Sequence, residues 1–203
     1  MDLNLKGKVF IVTGGAKGIG EAIVRQIAEE GGVPIILDQD EAAAEVLLEE
    51  LDELGDHTFF FHKVDLCDHE QCQSVVDHIM EDCGAIDGLI NNAGVNDGVG
   101  LEAGSPEGFR KSLEKNLSHF YDMAHFALPH LKESKGVILN VASKTAITGQ
   151  GEMKRGGFDP LFWINHTCAM VRDGVKRLAR KTWCTTKKIS RELITQRTQV
   201  FGQ

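Results

Sequence analysis

Along the first 150 positions, short apolar runs alternate with stretches in which apolar residues recur every third or fourth position. The runs Lys8–Thr13 (KVFIVT), Val33–Asp38 (VPIILD), Thr58–Val64, Ile86–Asn91 (IDGLIN) and Gly136–Ala142 (GVILNVA) predict five strands. Between them the helical period appears from Ile19 to about Glu30, over Glu41–Leu54 and over Asp68–Cys83. A further helical stretch runs, with interruptions, from Ser105 and Pro106 to about Leu131. Val46, Leu47, Leu51 and Leu54 are the expected apolar stripe of the second helix, and Asp68 is the expected N-cap of the third. After Gly151 the strand pattern stops. Leu161, Ile164, Cys168, Val171, Val175 and Leu178 then recur at spacings of 3, 4, 3, 4 and 3, the period of one amphipathic helix interrupted by Gly174.

Strands that alternate with helices, and that are apolar on both faces, predict an α/β fold. The expected form is a Rossmann-type doubly wound parallel sheet of about five strands. Residues 1–151 form its dinucleotide-binding domain, and 152–203 are an atypical, partly helical segment rather than a separate domain. A chain of 203 residues, 42% of them hydrophobic, suits one well-buried domain. Residues 1–150 hold 11 Lys/Arg against 26 Asp/Glu, a net of −15, whereas residues 151–203 hold 11 against 4, a net of +7. Both tryptophans, Trp163 and Trp183, lie in the basic part. No apolar run reaches the ~18–20 residues of a membrane helix, and no signal segment precedes the first strand pattern. The five cysteines (Cys67, Cys72, Cys83, Cys168, Cys184) lack metal-ligand spacing and are expected as reduced thiols of a cytoplasmic protein.

Chemistry concentrates in Thr13-Gly14-Gly15-Ala16-Lys17-Gly18-Ile19-Gly20, between the first strand and the first helix. There Gly14 would permit a tight turn, Gly18 would let backbone approach a pyrophosphate, and Gly20 would let the helix pack close to the sheet. The helix N-terminus offers free N–H groups and a positive dipole end to phosphates. Asp38 ends the second strand 18 residues past Gly20, where a carboxylate accepts hydrogen bonds from a ribose diol and repels a 2′-phosphate. Gln39, which follows it, is not basic, so NAD is expected over NADP.

These residues resemble the TGxxxGIG turn of the short-chain dehydrogenase/reductase family. Asn91-Asn92-Ala93-Gly94 resembles its NNAG signature, and Asp65-Leu66 its Asp-hydrophobe pair over the adenine. Asn116 matches the active-site asparagine of the long central helix, and Ser143 the serine after strand five. The likeness covers residues 3 to about 151. Within the family, Asn91–Gly100 (NNAGVNDGVG) and Ser143–Gly151 (SKTAITGQG) resemble sugar dehydrogenases of the L-fucose dehydrogenase kind. The resemblance implies hydride transfer between NAD and a sugar or other secondary alcohol. It makes Gly14, Lys17, Gly18, Ile19, Gly20, Asp38, Asp65, Leu66, Asn92, Ala93 and Gly94 the cofactor-binding residues. Ser143 and Asn116 become catalytic, Gln150 binds a substrate hydroxyl, and a homodimer or homotetramer is expected.

The pattern breaks where the family's order puts its Tyr-x-x-x-Lys pair, because Gly156 and Pro160 stand there. The single tyrosine, Tyr121, falls on the central helix, where packing is its expected role, and Lys144 and Lys154 have no tyrosine to tune. The change in charge, the tryptophans and the loss of later motifs are together accounted for by a shifted reading frame or an alternative exon from about residue 152. A catalytically silent NAD-binding protein is therefore the alternative to a dehydrogenase. The basic residues from Lys154 to Arg197 form a third possibility, a phosphate-facing module. The acidic chain as a whole, at −8, speaks against nucleic acid.

Overall fold

The computed structural model describes residues 3–53, 55, 57–97, 99 and 104–142. Over these the chain runs β1 (Val9–Thr13), α1 (Gly18–Glu29), β2 (Val33–Asp38), α2 (Glu41–Glu53), β3 (Phe60–Lys63), α3 (His69–Cys83), β4 (Gly88–Asn91), α4 (Pro106–Leu113), a π-helical turn (Glu114–Ser118), α5 (His119–Ser134) and β5 (Val137–Asn140). The five strands form one parallel sheet in the order β3-β2-β1-β4-β5. Every expected strand forms, and β1, β3, β4 and β5 are each shorter than the apolar run expected for them. The Leu161–Leu178 helix and the segment 152–203 lie outside the described residues.

Alternation along the strands splits the core between the two faces of the sheet. Ile11, Ile35, Leu37 and Leu89 point to one side, where Val76 and Ile79 of α3 and Met123 of α5 cover them. Phe10, Val12, Ile36 and Ile90 point to the other, beneath Val24 and Ile27 of α1 and Leu47 and Leu51 of α2. In β1 all five residues are buried, as expected of the central strand of a sheet covered on both sides. The edge strand β5 is more open, and Val137 and Leu139 stay about half exposed.

Local chemistry sets the helix ends. The Asp68 carboxylate accepts from Glu70 N and Gln71 N at the start of α3, and Gly84 closes that helix in the left-handed conformation. Ser105 accepts from Gly108 N, and Pro106 fills the first turn of α4, where its missing N–H costs nothing. The helical stretch expected, with interruptions, from Ser105 to about Leu131 is two α-helices joined by the π turn, and it continues to Ser134. The stripe expected on α2 also needs correction. Ala44, Leu47 and Leu51 face the sheet, whereas Val46 is 55% exposed, and Leu54 lies outside the described residues.

That correction separates two neighbouring side chains. Val46→Ser should change stability by no more than about 0.5 kcal/mol. Leu47→Ala should cost about 2–5 kcal/mol through the cavity it leaves. Urea unfolding of both variants checks the assignment.

Candidate functional site

Order reversal between β1 and β4 opens a crevice at the carboxyl ends of those strands, because their following connections leave to opposite faces. The turn after β1 lines one side of it. Gly14, at φ +63°, donates its N–H to Leu37 O at 2.8 Å and lies so close to Ala93 that an added Cβ would sit 2.8 Å from the Ala93 Cα. Gly18 is also left-handed, and a Cβ there would meet nothing within 4 Å, so the backbone is open on that side. A Cβ on Gly20 would fall 2.0 Å from Gly14 O. It would also fall 2.6 Å from Asn92 Nδ2, so the close approach that Gly20 permits is to the residues just past the ends of β1 and β4. No side chain caps the start of α1, which leaves its first N–H groups open to a ligand. Ile19, in that first turn, is 65% exposed.

The ends of β2 and β3 supply carboxylates. Asp38 Oδ2 accepts from Ala16 N at 3.1 Å, and its Oδ1 from Asp40 N at 3.1 Å, so the side chain is fixed while each oxygen keeps acceptor capacity. Lys17 pairs with Asp40, and that contact raises the Lys17 pKa and lowers the Asp40 pKa. Gln39 Nε2 donates to Asp65 Oδ1 at 2.7 Å, and Cys67 N donates to the same oxygen at 2.9 Å. The Leu66 side chain belongs to the core, only 8% exposed, so its place at the site is through backbone.

The end of β4 is tied to β1 by one hydroxyl. Thr13 Oγ1 accepts from Asn92 N at 2.9 Å and Ala93 N at 3.1 Å, and donates to Ile90 O at 3.4 Å. Asn92 Nδ2 donates to Thr13 O and Gly14 O, both at 3.0 Å. Asn91 points the other way, donating to Phe120 O at 3.3 Å and Asn140 Oδ1 at 3.0 Å.

The π turn presents Asn116, which is 8% exposed. Its Oδ1 accepts from Val95 N at 2.7 Å, and its Nδ2 donates to Ser112 O at 3.0 Å. Thr13, Asn91, Ser112, Asn116 and His119 are the buried polar residues among those described. His119 stands 3.0 Å through Nε2 from Lys115 O, its Nδ1 has no partner, and burial lowers its pKa to about 4.

The structure therefore brings together Gly14, Lys17, Gly18, Ile19, Gly20, Asp38, Asp65, Asn92, Ala93, Gly94 and Asn116. Ser143, Gln150, Lys144, Lys154, Gly156 and Pro160 lie outside the described residues. Tyr121, expected in a packing role, is 60% exposed and stacks on His125 with ring centroids 5.8 Å apart. Thr13 enters the sequence reading only as the first residue of the glycine turn, and Ser112 does not enter it. A lone hydroxyl closing an apolar strand, and one placed four residues before Asn116, are the signals that mark them. Among the described residues no group of three His, Cys, Asp or Glu is placed to hold a metal ion. Cys67, Cys72 and Cys83 are free thiols, and burial pushes the Cys72 pKa up to about 12.

Comparison with known proteins agrees with this geometry. The family described as short chain dehydrogenase matches residues 8–154. L-Fucose dehydrogenase of Rattus norvegicus is 38% identical over 147 residues, which are 72% of this chain and 53% of that protein. The 3alpha-hydroxysteroid dehydrogenase of Mediterraneibacter gnavus is 34% identical over 152 residues, 74% of this chain and 61% of that protein. The solved structure of NADH-dependent reductase A1-R' complexed with NAD superposes with a TM-score of 0.78 at 28% identity, covering 89% of this chain and 76% of that one. The chain spans about half the length of the L-fucose dehydrogenases it matches.

Two outcomes follow from the buried groups. Thr13→Val keeps the shape but leaves two N–H groups without an acceptor, so it should cost about 2–4 kcal/mol, while Thr13→Ser should restore most of that in urea unfolding. His119 has a folded pKa below the ordinary 6.5, so protons bind the unfolded chain first. Stability should be full above about pH 6.5 and should fall by about 3 kcal/mol as pH drops toward 4. In chemical denaturation across that range, His119→Gln should flatten this part of the profile.

Proposed function

The chain belongs to the short chain dehydrogenase family, and from that premise we propose that it binds NAD in the β1–β4 crevice as the cofactor site of a dehydrogenase for sugars or other secondary alcohols. The observation that carries the reading is the uncapped, glycine-lined start of α1 with the fixed Asp38 carboxylate beside it. Pyrophosphate would lie on the N–H groups from Gly18 to Gly20. The adenosine ribose would donate to Asp38, and the adenine edge would meet Asp65 and the backbone of Leu66. A 2′-phosphate would meet the charge of Asp38, and the residue that follows, Gln39, is neutral, which supports NAD over NADP.

Bound nicotinamide supplies hydride chemistry at a carbon bearing a hydroxyl. The protein's part is to hold the two reactants. Asn92, Ala93 and Gly94 shape the inner wall, Ile19 offers an apolar surface at its mouth, and Asn116 fixes the chain after Gly94. In this reading Ser143 orients the substrate oxygen and Gln150 accepts or donates at a second hydroxyl. The outward face of α4 and α5, carrying Tyr121 and His125, serves association into a dimer or tetramer. A cytoplasmic setting suits the free thiols. Among the described residues no helix is long and apolar enough to cross a membrane.

One observation favours a second reading, a silent NAD-binding protein. Tyr121, the chain's single tyrosine, is on the exposed side of α5 while Asn116 faces inward. Loss of a general acid/base removes roughly 10²–10⁴-fold of rate.

Calorimetric titration of the full chain with NAD⁺ and NADP⁺, followed by an NADH absorbance assay with L-fucose and other alcohols, tests both readings. NAD⁺ should bind at least about tenfold tighter than NADP⁺, and Asp38→Ala should weaken NAD⁺ about tenfold or more. Tighter binding of NADP⁺ would overturn the assignment of Asp38. Turnover at ordinary dehydrogenase rates would remove the silent reading, and binding without turnover would establish it.

A further inference from the structure

Just past Gly94, two buried side chains of the helical segment Pro106–Ser118 hold residues 95 and 97. Asn116 Oδ1 takes the Val95 N–H at 2.7 Å. One helical turn earlier, the hydroxyl of Ser112, 1% exposed, donates to Asp97 Oδ1 at 3.0 Å. The two anchors are themselves linked, because Asn116 Nδ2 donates to the Ser112 carbonyl at 3.0 Å. A side-chain donor thus occupies that carbonyl next to the π turn, where the regular ladder is widened. Residues 94–97 are therefore tied at two points to one short piece of helix.

We propose that Ser112 and Asp97 are positioning residues for the nicotinamide half of the dinucleotide, a role that rests on the NAD reading above. Asp38 marks the adenosine side at β2, and the start of α1 takes the pyrophosphate. The remaining half of an extended dinucleotide must then pass the end of β4, against residues 94–97. Neither Ser112 nor Asp97 needs to touch the ligand. The pair sets where the Val95 side chain, 50% exposed, stands at the crevice. Asn116 anchors the near end of this segment, and the Ser112–Asp97 bond anchors residue 97.

The test compares NAD⁺ with 5′-AMP, which spans only the adenosine side. Ser112→Ala and Asp97→Ala should each weaken NAD⁺ about tenfold in calorimetry and leave 5′-AMP within about twofold. The double variant should be no weaker than either single one, because both remove the same bond. Asp97→Asn, which keeps an acceptor oxygen, should recover most of the affinity. Asp97 is exposed, so its variants report even if Ser112→Ala fails to fold. Equal losses for NAD⁺ and 5′-AMP, additive losses, or unchanged NAD⁺ affinity would overturn the proposal. If the unmodified protein binds neither ligand, the NAD reading fails by itself. Hydrogen exchange of the Val95 amide in the ligand-free protein then decides whether the clamp exists: faster exchange in Asp97→Ala upholds it, and unchanged exchange removes it.

Discussion

The hydroxyl of Thr13 joins the two strands between which the crevice opens. Parallel strands diverge into separate connections at their carboxyl ends, and the backbone groups just past the last ladder bonds need partners. Here one side chain accepts two N–H groups from the segment after β4, while the Asn92 amide returns two bonds to the segment after β1. The exchange brings Ala93 against Gly14, and the place left for Gly20 under the Gly14 carbonyl follows from it. The crevice wall and the start of α1 are in this sense one construction. Loss of the hydroxyl would loosen the sheet and the cradle together.

Polar side chains farther along repeat the same device at a distance. Asn91 ties β4 to β5 and to the Phe120 carbonyl, and Asn116 ties the chain after Gly94 to the π turn. Each bond lies in a setting where an unpaired group costs more than a bond between exposed groups yields. The fold therefore gains a single arrangement of its loops from a few buried polar atoms. The apolar core on either side fixes the sheet without saying where those loops go.

Much of this could be read in the residues. The strands are legible because both faces are buried, so β1, β2 and β4 are almost wholly apolar, and the caps at Asp68 and Ser105 follow from their side-chain chemistry. Adjacent apolar residues blur the helical period: Val46 and Leu47 lie about 100° apart around α2, and the small Ala44 decides which of them faces inward. The π turn has no compositional mark, so α4 and α5 read as one interrupted helix. Leu66 shows a different limit. A family position predicts where a residue falls along the chain, but not whether its side chain or its backbone meets the site. The Ser112–Asp97 bond is invisible to any periodic pattern, since it joins a helix to an irregular segment fifteen residues earlier.

The central claim is that the segments after β1 and β4 act as one ligand cradle. Hydrogen exchange of the full chain with and without NAD⁺ tests it most directly, because it reports which amides the ligand covers. The account predicts slower exchange at Gly18–Gly20 and at Ala93–Val95 together, with little change in α3. Protection confined to residues 152–203, or protection after β1 with none after β4, would contradict it.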